Sequence, residues 1–133
     1  MTSTIPTVSQ YMTRSPHTVG LQQTIATAAR MMLQHGIRHL PVLDGGVLRG
    51  VVSERDILLL EGLPGIDREK IRVDEAMSQR TYAVTPSTPL ASVAREMAQH
   101  KYGAAVVMEG PLVIGVFTTV DACNALADLA PTS

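Results

Sequence analysis

The chain aligns with itself without a gap when it is shifted by 65 residues, so that Val8–Asp56 falls on Val73–Asp121. A repeat of this length is a whole supersecondary unit, and two copies bury together apolar surface that one copy would leave exposed. A residue with a shared function should therefore occur in both copies. Identical pairs include Val8 and Val73, Met12 and Met77, Val19 and Val84, Met32 and Met97, His35 and His100, Gly50 and Gly115, and Asp56 and Asp121.

Each copy contains an amphipathic helix, because apolar residues recur at i, i+3, i+4 and i+7. The two sets are Ile25, Ala28, Ala29 and Met32, and Leu90, Val93, Ala94 and Met97. Gly36 is expected to cap the end of the first helix in a left-handed conformation. Thr88 is expected to cap the start of the second, with Pro89 at its first helical position. Core packing is the expected role of Met31, Met32 and Met97.

Two short apolar runs joined by a turn follow each of these helices. They are Leu40–Leu43 and Val47–Val52 around Asp44-Gly45-Gly46, and Ala104–Met108 and Leu112–Phe117 around Glu109-Gly110-Pro111. Such runs predict hairpins. A second helix follows each hairpin and includes Ile57–Leu60 or Ala122–Leu129, and a short strand precedes the first helix at His17–Val19 or Tyr82–Val84. The predicted domains are an N-terminal extension 1–7, a first repeat 8–60, a charged linker 61–72 and a second repeat 73–129.

The sharpest local motif lies where each hairpin meets its second helix. Gly50 to Asp56 reads Gly-x-x-Ser-x-x-Asp, and Gly115 to Asp121 reads Gly-x-x-Thr-x-x-Asp. One interpretation is a helix cap, in which the hydroxyl and the carboxylate satisfy free backbone N–H groups. The other is a ligand site, since a helix start attracts phosphate and an aspartate offers two acceptors to paired hydroxyls such as those of a ribose. The two interpretations are compatible.

Composition and charge exclude several functional classes. The chain has no Trp, one Phe and a formal net charge of -1, so it lacks both stacking platforms and a basic surface for nucleic acid. No apolar stretch predicts a membrane span, and residues 1–7 do not resemble a signal peptide. Cys123 is the single cysteine. We therefore expect a cytoplasmic protein without an intrachain disulfide.

No catalytic set is predicted. Ser53 and Thr118 have no histidine placed in both copies to activate them, so we expect no enzyme activity. His35 and His39 have the i, i+4 spacing of a metal pair, but Gly36 should end the helix between them. A metal-responsive sensor that uses these histidines, with His17 or His100, is the weaker alternative, and we expect no metal site.

The chain resembles a tandem pair of CBS domains, the Bateman module, over about residues 8–126. The resemblance rests on the βαββα order, on His35-Gly36-Ile37-Arg38-His39-Leu40-Pro41-Val42, on the Gly-x-x-Ser/Thr-x-x-Asp endings and on the Val-x-x-x-Met-Thr/Ser starts at Val8 and Val73. It implies an α/β (α+β) fold of two βαββα repeats with pseudo-twofold symmetry. It also implies two clefts that bind AMP, ADP, ATP, S-adenosylmethionine or NAD(H), none of them an obligatory cofactor.

The resemblance also implies the residues of each cleft. The helix-start aspartate would hold the ribose, the Ser or Thr would help to hold ribose or phosphate, and apolar strand residues would pack on adenine. One cleft would use Thr118 and Asp121 with Thr18, Val19 and Ile37; the other would use Ser53 and Asp56 with Ala83, Val84 and Tyr102. Arg38 and His39 have the uncharged counterparts Gly103 and Ala104. We therefore expect unequal clefts, with the phosphorylated ligand beside Arg38 and His39.

These inferences predict a stand-alone regulatory module that senses an adenosine nucleotide. The family further implies a homodimer formed through helix faces, for which Ile57–Leu60 and Ala122–Leu129 are candidates, and a separate effector enzyme or transporter. An interaction scaffold that binds no ligand is the alternative from a different functional class.

Overall fold

The computed structural model of the chain describes residues 5–131 and divides into two compact units. The first-repeat unit consists of His17–Thr81, and the second-repeat unit combines Met1–Pro16 with Tyr82–Ser133. Residues 1–4 of the predicted N-terminal extension lie outside the described residues. The segment that opens each repeat in sequence therefore belongs to the unit of the other repeat.

Within residues 5–131, seven strands and five helices follow in chain order after a 3-10 helix at Val8–Gln10. They are β1 (Thr13–Arg14), β2 (Val19–Gly20), α1 (Ile25–His35), β3 (His39–Asp44), β4 (Val47–Ser53), α2 (Glu54–Glu61), α3 (Val73–Ala76), β5 (Ala83–Val84), α4 (Leu90–His100), β6 (Ala104–Glu109), β7 (Leu112–Thr118) and α5 (Thr119–Leu129). The predicted order of strand, helix, hairpin and helix is confirmed in both repeats. The short elements that open the repeats, the 3-10 helix with β1 and α3, were not predicted.

Each unit has one sheet and one hydrophobic core. The sheet of the first-repeat unit has the order β2-β3-β4, with β2 parallel to β3 and β4 antiparallel to it. In the second-repeat unit, β5-β6-β7 repeats this order and β1 adds an antiparallel strand beside β7. Met32 and Met97 are buried in the two cores, as predicted, whereas Met31 is half-buried and packs at the edge.

The predicted ends of the first helix in each repeat are partly wrong. Gly36 does cap α1 in the left-handed region, with φ 64°, and Lys101 takes the same conformation after α4. Thr88, however, does not cap α4; the N-cap is Pro89, and no side chain caps the helix. Pro89, with φ −56° and ψ 135°, forms an antiparallel bridge with Thr7, and the carbonyl of Thr88 accepts the Val8 N–H at 2.9 Å.

The opening segment of the second repeat packs on the hairpin of the first. Val73 is fully buried in the core of the first-repeat unit. Val51 and Ser78 form an antiparallel bridge, in which the Val51 N–H donates to Ser78 O at 3.1 Å and the Ser78 N–H donates to Val51 O at 2.9 Å. A Cβ on Gly50 would overlap the carbonyl oxygen of Ser78. A glycine is therefore required where this segment crosses β4.

Candidate ligand-binding half-sites

A capped helix start lies at the end of each hairpin. At α2, the Ser53 side chain accepts from the Asp56 N–H at 3.1 Å, and Asp56 Oδ2 accepts from the Ser53 N–H at 3.0 Å. At α5, Thr118 and Asp121 make the same pair of bonds at 3.3 and 2.9 Å. The predicted capping boxes are therefore confirmed in both repeats.

The two aspartates differ in how many donors hold them. Asp121 Oδ2 also accepts from the hydroxyls of Thr118 at 3.1 Å and Thr13 at 3.5 Å, whereas among the described residues Asp56 Oδ2 has only the backbone donor. Within residues 5–131, no hydrogen bond involves Oδ1 of either residue. Both carboxylates are half-buried. Each helix start therefore keeps one carboxylate oxygen free to accept from a ligand.

In the first-repeat unit, two basic residues lie beside this helix start. His39 pairs with Ser53 across β3 and β4, and the Arg38 carbonyl accepts the Glu54 N–H at 2.9 Å. Burial lowers the pKa of His39 below its usual value; the Arg38 charge adds to this, and Asp56 opposes it. Arg38 is exposed and makes no ion pair with another described residue. The structure thus brings Arg38, His39, Ser53 and Asp56 together. Ile37, which the resemblance implied for the cleft of Asp121, immediately precedes Arg38 in the sequence.

The second-repeat unit has the same backbone arrangement without the charges. Ala104 pairs with Thr118, and the Gly103 carbonyl accepts the Thr119 N–H at 3.2 Å. Tyr102 instead carries an aromatic stack. Its ring lies 5.4 Å from that of Tyr82 and 5.2 Å from that of His100.

The sequence analysis identified Tyr102 but not the two rings that stack on it, those of Tyr82 and His100. Burial raises the pKa of Tyr82, as do the neighbouring Glu96 and Tyr102. In the first-repeat unit, the positions equivalent to Tyr82 and His100 are His17 and His35, whose rings stack at 3.6 Å. The alignment of the two repeats places His17 opposite Tyr82 and His35 opposite His100, so both copies have a ring at both positions. This pattern could have indicated that the two rings of each copy lie together.

The remaining predicted residues lie in or beside the short strands that open each sheet. Val19 pairs with Val42 on β3 and is buried in the core of the first-repeat unit. Thr18, immediately before β2, is half-buried. In the second-repeat unit, Ala83 is exposed and Val84 half-buried, and they pair with Val106 and Val107 on β6. That these residues complete sites with the helix start of the other repeat stays a prediction.

Neither a cluster of metal-ligating side chains nor a membrane-spanning helix is present among the described residues. No group of three or more His, Cys, Asp or Glu side chains between residues 5 and 131 is placed to hold a metal ion. None of the helices in this range combines the length and the apolar content that a membrane span requires.

Comparison with curated proteins gives related chains of two kinds. The CBS domain-containing protein YhcV of Bacillus subtilis is 33% identical over 92% of this chain and 82% of its own length. Inosine-5'-monophosphate dehydrogenase of Korarchaeum cryptofilum is 28% identical over 91% of this chain, which spans only 24% of that enzyme. The similarity to the enzyme is therefore confined to a minor part of it.

Comparison with solved structures gives the same fold. The crystal structure of CBSX2 in complex with AMP matches 94% of this chain and 99% of its own, with a TM-score of 0.83 and 24% identity. A CBS domain pair in complex with 5'-methylthioadenosine and S-adenosyl-L-methionine matches 94% and 98%, with a TM-score of 0.84 and 24% identity. The expected mixed α and β fold is confirmed.

The family comparison covers both repeats. The family model described as "CBS domain" matches residues 8–61 and again residues 73–128. The chain therefore belongs to the CBS domain family and carries the domain as a tandem pair.

Proposed function

We propose that this chain is a regulatory module that binds an adenosine-containing ligand at its capped helix starts. The observation that carries the proposal is the free Oδ1 of Asp56 and Asp121, held by a cap at the start of a helix in both repeats. Such an oxygen accepts from a ribose hydroxyl, while the positive end of the helix dipole attracts phosphate. The ligands in the two similar crystal structures, AMP in one and methylthioadenosine with S-adenosylmethionine in the other, support this ligand class.

The two half-sites should prefer different ligands. Arg38 beside Asp56 favours a phosphorylated ligand such as AMP, ADP, ATP or NAD(H), because a guanidinium group pairs with phosphate, and the imidazole of His39 adds a hydrogen-bond donor. The half-site at Asp121 has Gly103 and Ala104 instead, so it has no countercharge there. An adenosine ligand without phosphate, such as S-adenosylmethionine, suits it better.

Regulation requires that the ligand binds one state of the module more tightly than another. We propose that this state is read by a separate effector enzyme or transporter in the cytoplasm. In inosine-5'-monophosphate dehydrogenase of Korarchaeum cryptofilum, the segment similar to this chain forms a minor part of an enzyme. This similarity supports an enzyme as the effector.

We further propose that the chain forms a homodimer through its second helices. Leu58 and Leu59 of α2 and Val120 and Leu126 of α5 are each exposed over 59–68% of their surface. Large apolar side chains concentrated on two helices are typical of an interaction surface. Light scattering should give twice the chain mass, and replacing Leu59 and Leu126 with Glu should give the monomer. A wild-type monomer, with and without ligand, would contradict this proposal.

Isothermal titration calorimetry with AMP, ATP, NADH and S-adenosylmethionine tests the proposed ligand. We expect AMP or ATP to bind, with a dissociation constant raised at least tenfold in Asp56→Asn. The N-cap Ser53 is unchanged and the amide oxygen of an asparagine can still accept the Ser53 N–H, so the loss would report the missing carboxylate charge and not a damaged fold. Asp121→Asn is the matched control and should leave the affinity for phosphorylated ligands within threefold. No saturable heat with any of the four ligands would favour the scaffold that binds no ligand.

A further inference from the structure

The side chain of His39 lies on the face of the first-repeat sheet opposite to the hydrophobic core. Leu40 and Val42 of β3 and Val52 of β4 are buried in that core. Because side chains alternate across a strand, His39 and its Cα partner Ser53 both lie on the other face. Paired residues on one face have Cβ atoms about 4.5–5.5 Å apart. The half-buried imidazole therefore lies beside the start of α2.

Two charged residues act on this imidazole. Asp56 Oδ2 accepts the Ser53 N–H at 3.0 Å, so the partner of His39 on β4 fixes a carboxylate nearby, and Arg38 directly precedes His39 in the sequence. Burial lowers the pKa of His39, and the Arg38 guanidinium lowers it further, whereas the Asp56 carboxylate opposes both effects. At neutral pH the ring is therefore mostly uncharged.

The other elements that pack against β3 bring few further charges to this face. β2 contains no titratable residue, and α1 packs against the opposite, core face of the sheet. On β4, Arg49 forms an ion pair with Asp44 at 3.6 Å, near the turn of the hairpin. At the start of α2, Glu54 and Arg55 are exposed. The segment that crosses β4 does so at 77–78, where neither side chain titrates.

The second repeat has no titratable group at this position. Ala104 aligns with His39 and pairs with Thr118 as His39 pairs with Ser53. Both helix starts nevertheless form the same capping box. The cap therefore does not require a histidine, and the ring of His39 is available for a role at the half-site of Asp56.

From this arrangement we propose that binding of a phosphorylated ligand beside Asp56 is coupled to the uptake of one proton from solvent by His39. The inference rests on the proposed adenosine site and adds regulation by pH to it. An anionic phosphate favours the charged form of a nearby imidazole, so the pKa of His39 rises on binding. By linkage, the affinity increases as the pH falls between the free and the bound pKa, by up to about tenfold per pH unit for one proton. The half-site at Asp56 would then respond to acidification as well as to its ligand.

Isothermal titration calorimetry of the full chain with AMP, in buffers of different ionisation enthalpy, measures this proton uptake. At about pH 6.5 we expect wild type to take up about 0.3–0.8 proton more than His39→Gln. Comparing the two proteins at one pH removes the ionisation of AMP itself, whose second phosphate pKa is about 6. His35→Gln, which removes a histidine outside the half-site, is the matched control and should behave as wild type. Adenosine, which has no phosphate, should bind without the extra uptake.

The outcomes separate this inference from the proposed function. Saturable AMP binding with equal proton uptake in wild type and His39→Gln would overturn the coupling and leave the adenosine site in place, whereas the absence of saturable binding would overturn both. Equal uptake with AMP and adenosine would also overturn the coupling, because phosphate would not be its cause. If His39→Gln does not fold, NMR titration of the His39 Cε1–H in wild type decides. Its midpoint should move to higher pH with AMP, and an unchanged midpoint would exclude the coupling.

Discussion

Replacing Gly50 with alanine tests the packing of the second repeat's opening segment on β4. The added Cβ would overlap the carbonyl oxygen of Ser78 and lie 3.0 Å from the sulfur of Met77. The carbonyl is backbone and cannot rotate away as a side chain would. The segment around Ser78 must therefore move, and this weakens the two hydrogen bonds that it exchanges with Val51.

The cost follows from these contacts. Forcing atoms into a packed site costs about 1–3 kcal/mol, and weakening the two backbone hydrogen bonds without breaking them costs about 1 kcal/mol in total. We expect Gly50→Ala to lower the free energy of unfolding by about 2–4 kcal/mol. For a chain of 133 residues this corresponds to a fall in Tm of about 8–16 °C.

Urea denaturation followed by circular dichroism measures this loss, with two glycines as controls. A Cβ on Gly115 would meet mainly the flexible Met12 side chain, whose sulfur lies at 2.5 Å, so Gly115→Ala should cost less. A Cβ on Gly20 would meet only the Gln23 side chain, at 3.3 Å or more, so Gly20→Ala should cost least. A Gly50→Ala loss below 0.5 kcal/mol, or below that of Gly115→Ala, would refute this account of the packing.

Two further predictions concern buried residues of the first-repeat unit. Val73→Ala should destabilise the chain by about 2 kcal/mol in urea denaturation, because it leaves a cavity in the core; a loss no larger than that of the exposed Val47→Ala would contradict this core position. Because the pKa of His39 is lowered in the folded state, the unfolded state binds more protons just below the usual value of 6.5, so stability should fall as the pH drops through this window. In His39→Gln the decrease between pH 7 and pH 5 should be smaller, and denaturation curves with the same decrease as wild type would exclude this origin.

Local signals in the sequence predicted most of the individual elements. The periodicity of α1 and α4, the Asp44-Gly45-Gly46 turn and the Ser53 and Thr118 caps depend on residues within a few positions of each other. Their physics is contained in short segments, so a single sequence reveals them. Because the chain contains two repeats, each pattern occurs a second time.

The structural features that the sequence did not reveal depend on interactions between distant segments. Thr88 has the right side chain for an N-cap, but the bridge between Thr7 and Pro89 moves the helix start to Leu90. Similarly, Val73 reads as the start of the second repeat, yet it is buried with residues of the first. Local propensity is overridden when a remote strand or core offers more contacts. The stack of Tyr82, Tyr102 and His100 depends on such contacts in the same way.

Divergence between the copies is concentrated beside the caps, and this bears on how the proposed sensor would work. Asp56 and Asp121, with their hydroxyl partners, are retained in the same geometry, whereas the strand starts carry Arg38 and His39 in one copy and uncharged residues in the other. The retained carboxylates would therefore bind the part of the ligand that is common to both half-sites. The residues at the strand starts would bind the part that differs. On this reasoning, transferring Arg38 and His39 onto positions 103 and 104 should give the second half-site affinity for phosphate without altering its cap. Titration of that variant with AMP should show a second site, and its absence would mean that the charges alone do not determine the preference.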